Sequence, residues 1–289
     1  MDFTSTDDLR ARGANLLARG PVALIFAEDA VEIASTVTHH AALGYAEIIV
    51  FLPATLSPPD EVRDRAHWVR LDTHAPDAVP TTVNALIAAA PATTWFTYCY
   101  NAEYLFFPFC EHRSIGEMLA FHAEERRSAM LTYVIDLYAS DLSRFPNAVD
   151  RDSAEIDRTG YYALARHDAA TGLAKERQLD FFGGLRWRFE EHVPWERRKI
   201  DRIAIFRAKP GLRLRADHTF NDEEYNTYAC PWHHNLTAAI ASFRTAKALR
   251  TNPDSRYQIA SFHWHNSVRF EWSSQQLLDL GLIEPGQWF

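Results

Sequence analysis

Short uninterrupted apolar runs alternate with helix-period segments over the first half of the chain. Val22-Ala23-Leu24-Ile25-Phe26, behind Pro21, is a buried-strand signal, residues 30–43 read as a helix closed by Gly44, and Ile48-Ile49-Val50-Phe51-Leu52 is the next strand. A loop at 53–60 containing Pro58-Pro59 leads to a short strand at 68–71, a helix at 81–90 and a strand at 94–99. That strand resumes after a break at 104–107. Ser114 and Glu117 form a capping-box pattern that opens a helix to about residue 127, and a strand follows at 130–138. Strands alternating with helices in this way predict βαβ units and a mainly parallel central sheet flanked by helices.

The second half is less regular. Residues 140–175 are polar and weakly patterned, and are expected to run over the surface. Residues 200–207 alternate as a strand, 236–249 read as a long helix, and 273–280 as a short one with a second capping box, Ser273 to Gln276. There is no repeat, low-complexity tract or linker. The expected organisation is a helical extension at 1–20, one α/β domain at 21–250, and an irregular, aromatic-rich C-terminal extension at 251–289 packed on the same unit.

Composition narrows the class. The 289 residues are 47% hydrophobic and 24% charged, a globular profile. A net charge of −8 repels phosphate backbones, so no nucleic-acid partner is expected. Three cysteines cannot build a disulfide framework, the N-terminal stretch has no signal-peptide pattern, and no apolar run is long enough for a membrane span. A cytoplasmic protein is the expectation.

Candidate chemistry sits at four places. Glu28-Asp29 closes the first strand; ligands of open α/β sheets bind outside the carboxyl ends of strands, so these carboxylates can hold ribose or base donors, and Asp29 can equally cap the next helix. His39-His40 lie about 100° apart near the end of that helix, which suits its dipole better than one metal ion. Cys230, His233, His234, His263 and His265 have zinc-compatible spacing, yet Trp232 and Trp264 are interleaved, which also suits a sugar-binding wall. Gly183-Gly184-Leu185-Arg186, with Arg188 beyond, allows close backbone approach to a ligand and offers Arg186 or Arg188 as a diphosphate clamp; a hairpin corner is the plain alternative. GxxxxGK[ST], GxGxxG and GxSxG are all missing, which counts against nucleotide hydrolysis, dinucleotide redox chemistry and α/β-hydrolase catalysis.

In order and spacing these pieces resemble a branch of the family 2 glycosyltransferases, from about Val22 to Leu249. The resemblance rests on Glu28-Asp29, His39-His40-Ala41-Ala42-Leu43-Gly44, Tyr100-Asn101-Ala102-Glu103-Tyr104-Leu105, Gly183-Gly184-Leu185-Arg186, Ile203-Ala204-Ile205-Phe206-Arg207, His218, and the helix expected after Leu236. It implies the GT-A nucleotide-sugar fold, a nucleotide-sugar donor, a glycan or other hydroxyl acceptor, and Mg²⁺ or Mn²⁺ on an Asp-x-Asp pair. That pair aligns with Tyr100 and Ala102, which cannot replace hard anionic oxygens. A one-residue shift offers Asn101 and Glu103, with His218, as metal ligands. The implied donor-site residues are Glu28, Asp29, Asn101, Glu103, Gly183, Gly184, Arg186 and Arg188, with Trp232 and His233 as sugar contacts; Glu190, Glu191 and His218 are candidates for the general base that deprotonates the acceptor. Three readings follow: an active glycosyltransferase, a non-catalytic relative that binds glycan or sugar nucleotide or supports a partner enzyme, and an unrelated α/β protein with a structural zinc.

Overall fold

Each apolar run of the first half is a strand in the computed structural model, which describes residues 1–231 and 233–288. The chain begins with β1 (Asp2–Phe3), α1 (Thr6–Arg12) and α2 (Ala14–Leu17). It continues through β2 (Val22–Phe26), α3 (Ile33–Ala42), β3 (Glu47–Leu52), β4 (His67–Arg70), α4 (Ala78–Ala89) and β5 (Trp95–Tyr100). Next come β6 (Glu103–Phe106), α5 (Ile115–Glu124), β7 (Ala129–Asp136), β8 (Tyr138–Ala139), β9 (Ala154–Asp157), β10 (Tyr162–His167) and β11 (Ala174–Phe182). The last elements are α6 (Gly184–Arg188), β12 (Asp201–Arg207), β13 (Ala238–Ser242), α7 (Arg244–Thr251), β14 (Ser267–Arg269) and α8 (Ser274–Asp279). The result is an α/β protein with a large, mostly parallel sheet flanked by helices.

The described residues divide into two compact units built from interleaved segments. The first comprises 1–104, 112–131 and 203–226; the second comprises 105–111, 132–202 and the chain from Thr227 onward. The division therefore falls inside the stretch 21–250 that the sequence suggests as one domain.

In the first unit the strand order is β1-β4-β3-β2-β5-β12. β1 through β5 run parallel, and β12 is antiparallel to β5. Every residue of β2 and β3 is buried, as expected where a parallel sheet is covered on both faces. Phe26 and Phe51 stack across the pair with centroids 4.8 Å apart. The α5 capping box forms as its sequence predicts: Ser114 Oγ accepts from Glu117 N at 3.3 Å, and Glu117 Oε2 accepts from Ser114 N at 2.8 Å.

The second unit carries β7 and β13, paired in parallel, and two smaller sheets, β10-β11 and β14-β9-β8. Three expectations change here. The first half of the expected 236–249 helix is the buried strand β13, and only Arg244–Thr251 is helical. Ala-Ala-Ile-Ala-Ser is a helix former in isolation, but hydrogen bonding to β7 and complete burial override that propensity. The stretch 140–175 holds β9, whose Ala154, Ile156 and Asp157 are buried, so it is more than a surface excursion. Ser273 caps α8 through Gln275 N at 3.2 Å, while the Gln276 amide bonds Glu271 N and Arg269 O, so that capping box does not form.

Candidate functional site

The first four strands of the βα series, β2, β3, β4 and β5, lie in the order β4-β3-β2-β5. The strand order thus reverses between the parallel neighbours β2 and β5, and the region outside the carboxyl ends at such a point is where doubly wound sheets take ligands. Asn101 and the Glu28-Asp29 pair meet there. The Asn101 side chain accepts from Glu28 N at 2.8 Å and donates to Asp29 Oδ1 at 2.6 Å and Val31 O at 2.8 Å. Asp29 Oδ1 also accepts from Val31 N at 2.9 Å, so it caps the turn before α3, whose own N-cap is Glu32. Thr73 Oγ1 donates to Ala27 O at 2.7 Å, and His74 Nε2 donates to Glu28 O at 2.9 Å, which brings the loop after β4 to the same place. Glu28 and Asp29 are half-buried at the rim; Asn101 is completely buried beneath them.

The turn after Asn101 is locked from within. Ala102 has φ +60°, a left-handed conformation that disfavours a Cβ, and its N–H donates to Thr36 Oγ1 at 2.9 Å. Glu103 is completely buried, and its Oε2 accepts from Tyr100 N at 2.8 Å. Beside it, burial pushes the His40 imidazole down to about 4, so the ring is neutral near pH 7. Its Nδ1–H donates to Thr36 O at 2.8 Å, leaving Nε2 to face Cys99 Sγ at 3.6 Å. The helix-dipole role expected for His40 needs an imidazolium and is corrected by this burial.

The shifted metal pair fits poorly. Both Asn101 and Glu103 are buried and engaged with backbone groups, Asn101 with the loop after β2 and Glu103 with its own turn. His218, at φ +64°, stacks on Tyr98 and pairs its Nδ1 with Tyr98 OH at 3.0 Å. Tyr98 and Cys99 are adjacent on β5 and point to opposite faces, so His218 and the His40–Glu103 group lie on different sides of the sheet. Among the described residues no group of three or more His, Cys, Asp or Glu is arranged to hold a metal ion.

The second unit gathers another set of polar groups. Asp136, at the carboxyl end of β7, is buried, and its Oδ2 accepts from Leu185 N at 2.9 Å; burial pushes its carboxyl up, against the pull of Arg186. Asp157 is also buried, and its Oδ1 accepts from Tyr138 OH at 2.5 Å, Trp264 Nε1 at 2.7 Å and Arg188 Nη1 at 2.9 Å. Arg188 further lies 4.6 Å from the Trp264 ring centroid and donates to Phe262 O. Arg186 is held by Thr245 Oγ1 at 3.1 Å and by Lys199 O. Both arginines expected to clamp a diphosphate are thus anchored inside the unit.

The two glycines serve packing. At Gly183 a Cβ would sit 2.3 Å from Tyr161 Cδ1; at Gly184, with φ +61°, it would sit 2.7 Å from Asp136 Oδ2. Glu190 is exposed and ion-paired with Arg198 at 2.8 Å, and Glu191 is exposed with His192 Nε2 3.8 Å away. These two belong to the second unit and His218 to the first. His233 lends its carbonyl to Cys230 N at 3.1 Å, and His263 is paired with Glu155 at 2.9 Å. Trp232 lies outside the described residues. Asp136 and Asp157 were not among the candidates read from the sequence. Asp136 carried a usable signal, a carboxylate near the end of a recognised parallel strand; Asp157, in a weakly patterned stretch, carried none.

No protein-family model matches the chain, and no curated protein matches it. Among the described residues no helix is long and apolar enough to cross a membrane.

Proposed function

We propose that the chain is a glycosyltransferase-like protein with a GT-A-type nucleotide-binding half, which takes a nucleotide-sugar donor at the carboxyl ends of β2 and β5 and passes the sugar to a hydroxyl acceptor. One observation carries this reading: Glu28, Asp29 and Asn101 converge at the point where strand order reverses. Carboxylates at that rim suit ribose hydroxyls and base N–H groups. The loop bearing His74 lies against the same backbone.

The donor is not routed through a cation on Asn101 and Glu103, because Asn101 Oδ1 already accepts from Glu28 N and Glu103 Oε2 from Tyr100 N. Charge on a leaving diphosphate then has to be met by protein cations or backbone N–H groups. A general base is still required to deprotonate the acceptor, and of the three candidates His218 is the one that belongs to the same unit as the proposed donor site.

Burial of Asn101 and Glu103 favours a second reading, a non-catalytic relative that binds a sugar nucleotide or glycan or supports a partner enzyme. Donor turnover separates the two. The full chain is incubated with UDP- and GDP-sugars, and released nucleoside diphosphate is measured with and without Mn²⁺. Release that is lost in Glu28→Gln supports the transferase. Saturable binding without release moves the assignment to the second reading.

A further inference from the structure

We propose that the first unit carries a second small-molecule site, at the opposite end of its strands, that takes a flat organic oxyanion through Arg207. A cleft of about 380 Å³ opens there, at the start of β2 and β5 and the end of β12. That volume falls in the range of small-ligand pockets, roughly 300–1,000 Å³. Nothing in the donor-site reading uses it.

Arg207 and Trp95 form one wall. They are directly opposed residues of the antiparallel pair β12–β5, so their side chains leave the same face of the sheet. The facing wall is α5, which lines the cleft with Gly116, Leu119, Ala120 and Ala123, all but Leu119 of almost no bulk. A slot between an indole and mostly small side chains admits a planar body.

Charge selects the ligand's sign. The Arg207 backbone is anchored, its N–H to Ser128 O and its carbonyl to Tyr225 OH at 2.9 Å. Its guanidinium is different: Nε is buried and makes no hydrogen bond to any described residue, and none of the residues lining the cleft is acidic. The chain carries a net charge of −8, and Arg166, Arg186, Arg188 and Arg198 each find a carboxylate or carbonyl partner within it. Arg207 instead lines a cleft, and its buried Nε is left without a partner among the described residues. Guanidinium donors in a fork match carboxylate and phosphate geometry. Thr93, at the mouth, adds a hydroxyl.

The test titrates the full chain by calorimetry with benzoate and with phenyl phosphate, probes that share a ring and differ in the oxyanion. Neither carries a nucleoside, so the outcome is independent of the donor site. At least one is expected to bind saturably with Kd below about 1 mM. Arg207→Met should weaken it about tenfold or more, and Ala120→Phe, which fills the slot from α5, should abolish it. The bound probe should also raise the thermal midpoint of the unmodified chain and not that of either variant. A response to benzoate alone assigns a carboxylate ligand, and one to phenyl phosphate alone a phosphate. Lack of saturable binding of both probes up to about 10 mM, or undiminished binding in either variant, overturns the proposal.

Discussion

Replacing Asn101 with Ala tests whether one amide organises the carboxyl ends of β2 and β5. The side chain is completely buried and joins Glu28 N, Asp29 Oδ1 and Val31 O by bonds of 2.6–2.8 Å. Removing it strands a backbone donor and a backbone carbonyl. Asp29 Oδ1 still has Val31 N, so its loss is partial. A net hydrogen bond contributes about 1 kcal/mol, and a buried group left without a partner costs about 1–3 kcal/mol. The change should therefore cost about 3 kcal/mol, allowing for partial relaxation of the half-exposed rim. Urea unfolding followed by far-ultraviolet circular dichroism reads this as a lower midpoint at unchanged slope. Asn101→Asp should be worse still, because it sets a second carboxylate against Asp29 and removes both amide donors. A loss below about 0.5 kcal/mol in Asn101→Ala, the range of ordinary surface changes, would refute an organising role for the amide.

Other consequences follow from the same geometry. Gly184→Ala meets both a left-handed φ of +61° and a Cβ only 2.7 Å from Asp136 Oδ2, so it should cost about 2–4 kcal/mol, whereas Gly172→Ala, at φ +69° with nothing within 4 Å, should cost only about 1 kcal/mol; paired thermal melts compare them. Arg188→Met leaves the Asp157 carboxylate buried without its cation and should cost about 3–5 kcal/mol by denaturant titration. His40 and His122 are both held down at about 4 by burial, below the ordinary value of 6.5. The unfolded chain binds these protons first as pH falls, so their contribution is intact above pH 6.5 and is lost on descending to about 4. The slope is at most about 1.4 kcal/mol per pH unit for each histidine, and unfolding measured across that window in His122→Gln should lose one histidine's share.

The first half of the fold was legible because buried parallel strands announce themselves as apolar runs. Residues 22–26 coincide with β2, and the neighbouring strands shift by a residue at most. Legibility ended where local preference and tertiary context disagree. Ala238 to Ser242 looks helical until β7 supplies its hydrogen bonds, and Asp157 sits in a polar stretch whose burial depends on Arg188, Trp264 and Tyr138 from distant segments. The candidate site was legible by the same logic. Glu28-Asp29 was recognisable as a carboxylate pair at a strand end, but the role of Asn101 required knowing that β5 lies beside β2. Arg186 and Arg188 illustrate the converse: a charged pair after two glycines suggests a phosphate clamp, but in the fold both guanidinium groups already have internal partners.

The central claim is a nucleotide-sugar site at the carboxyl ends of β2 and β5 that works without a bridging cation. Calorimetric titration of the full chain with UDP- and GDP-sugars, in Mn²⁺ and again in chelator, addresses it most directly. Saturable binding of at least one donor is expected, equal in both buffers, and weakened about tenfold (about 1.4 kcal/mol) in Glu28→Gln. Heat that vanishes on chelation, or no binding of any sugar nucleotide, would contradict it.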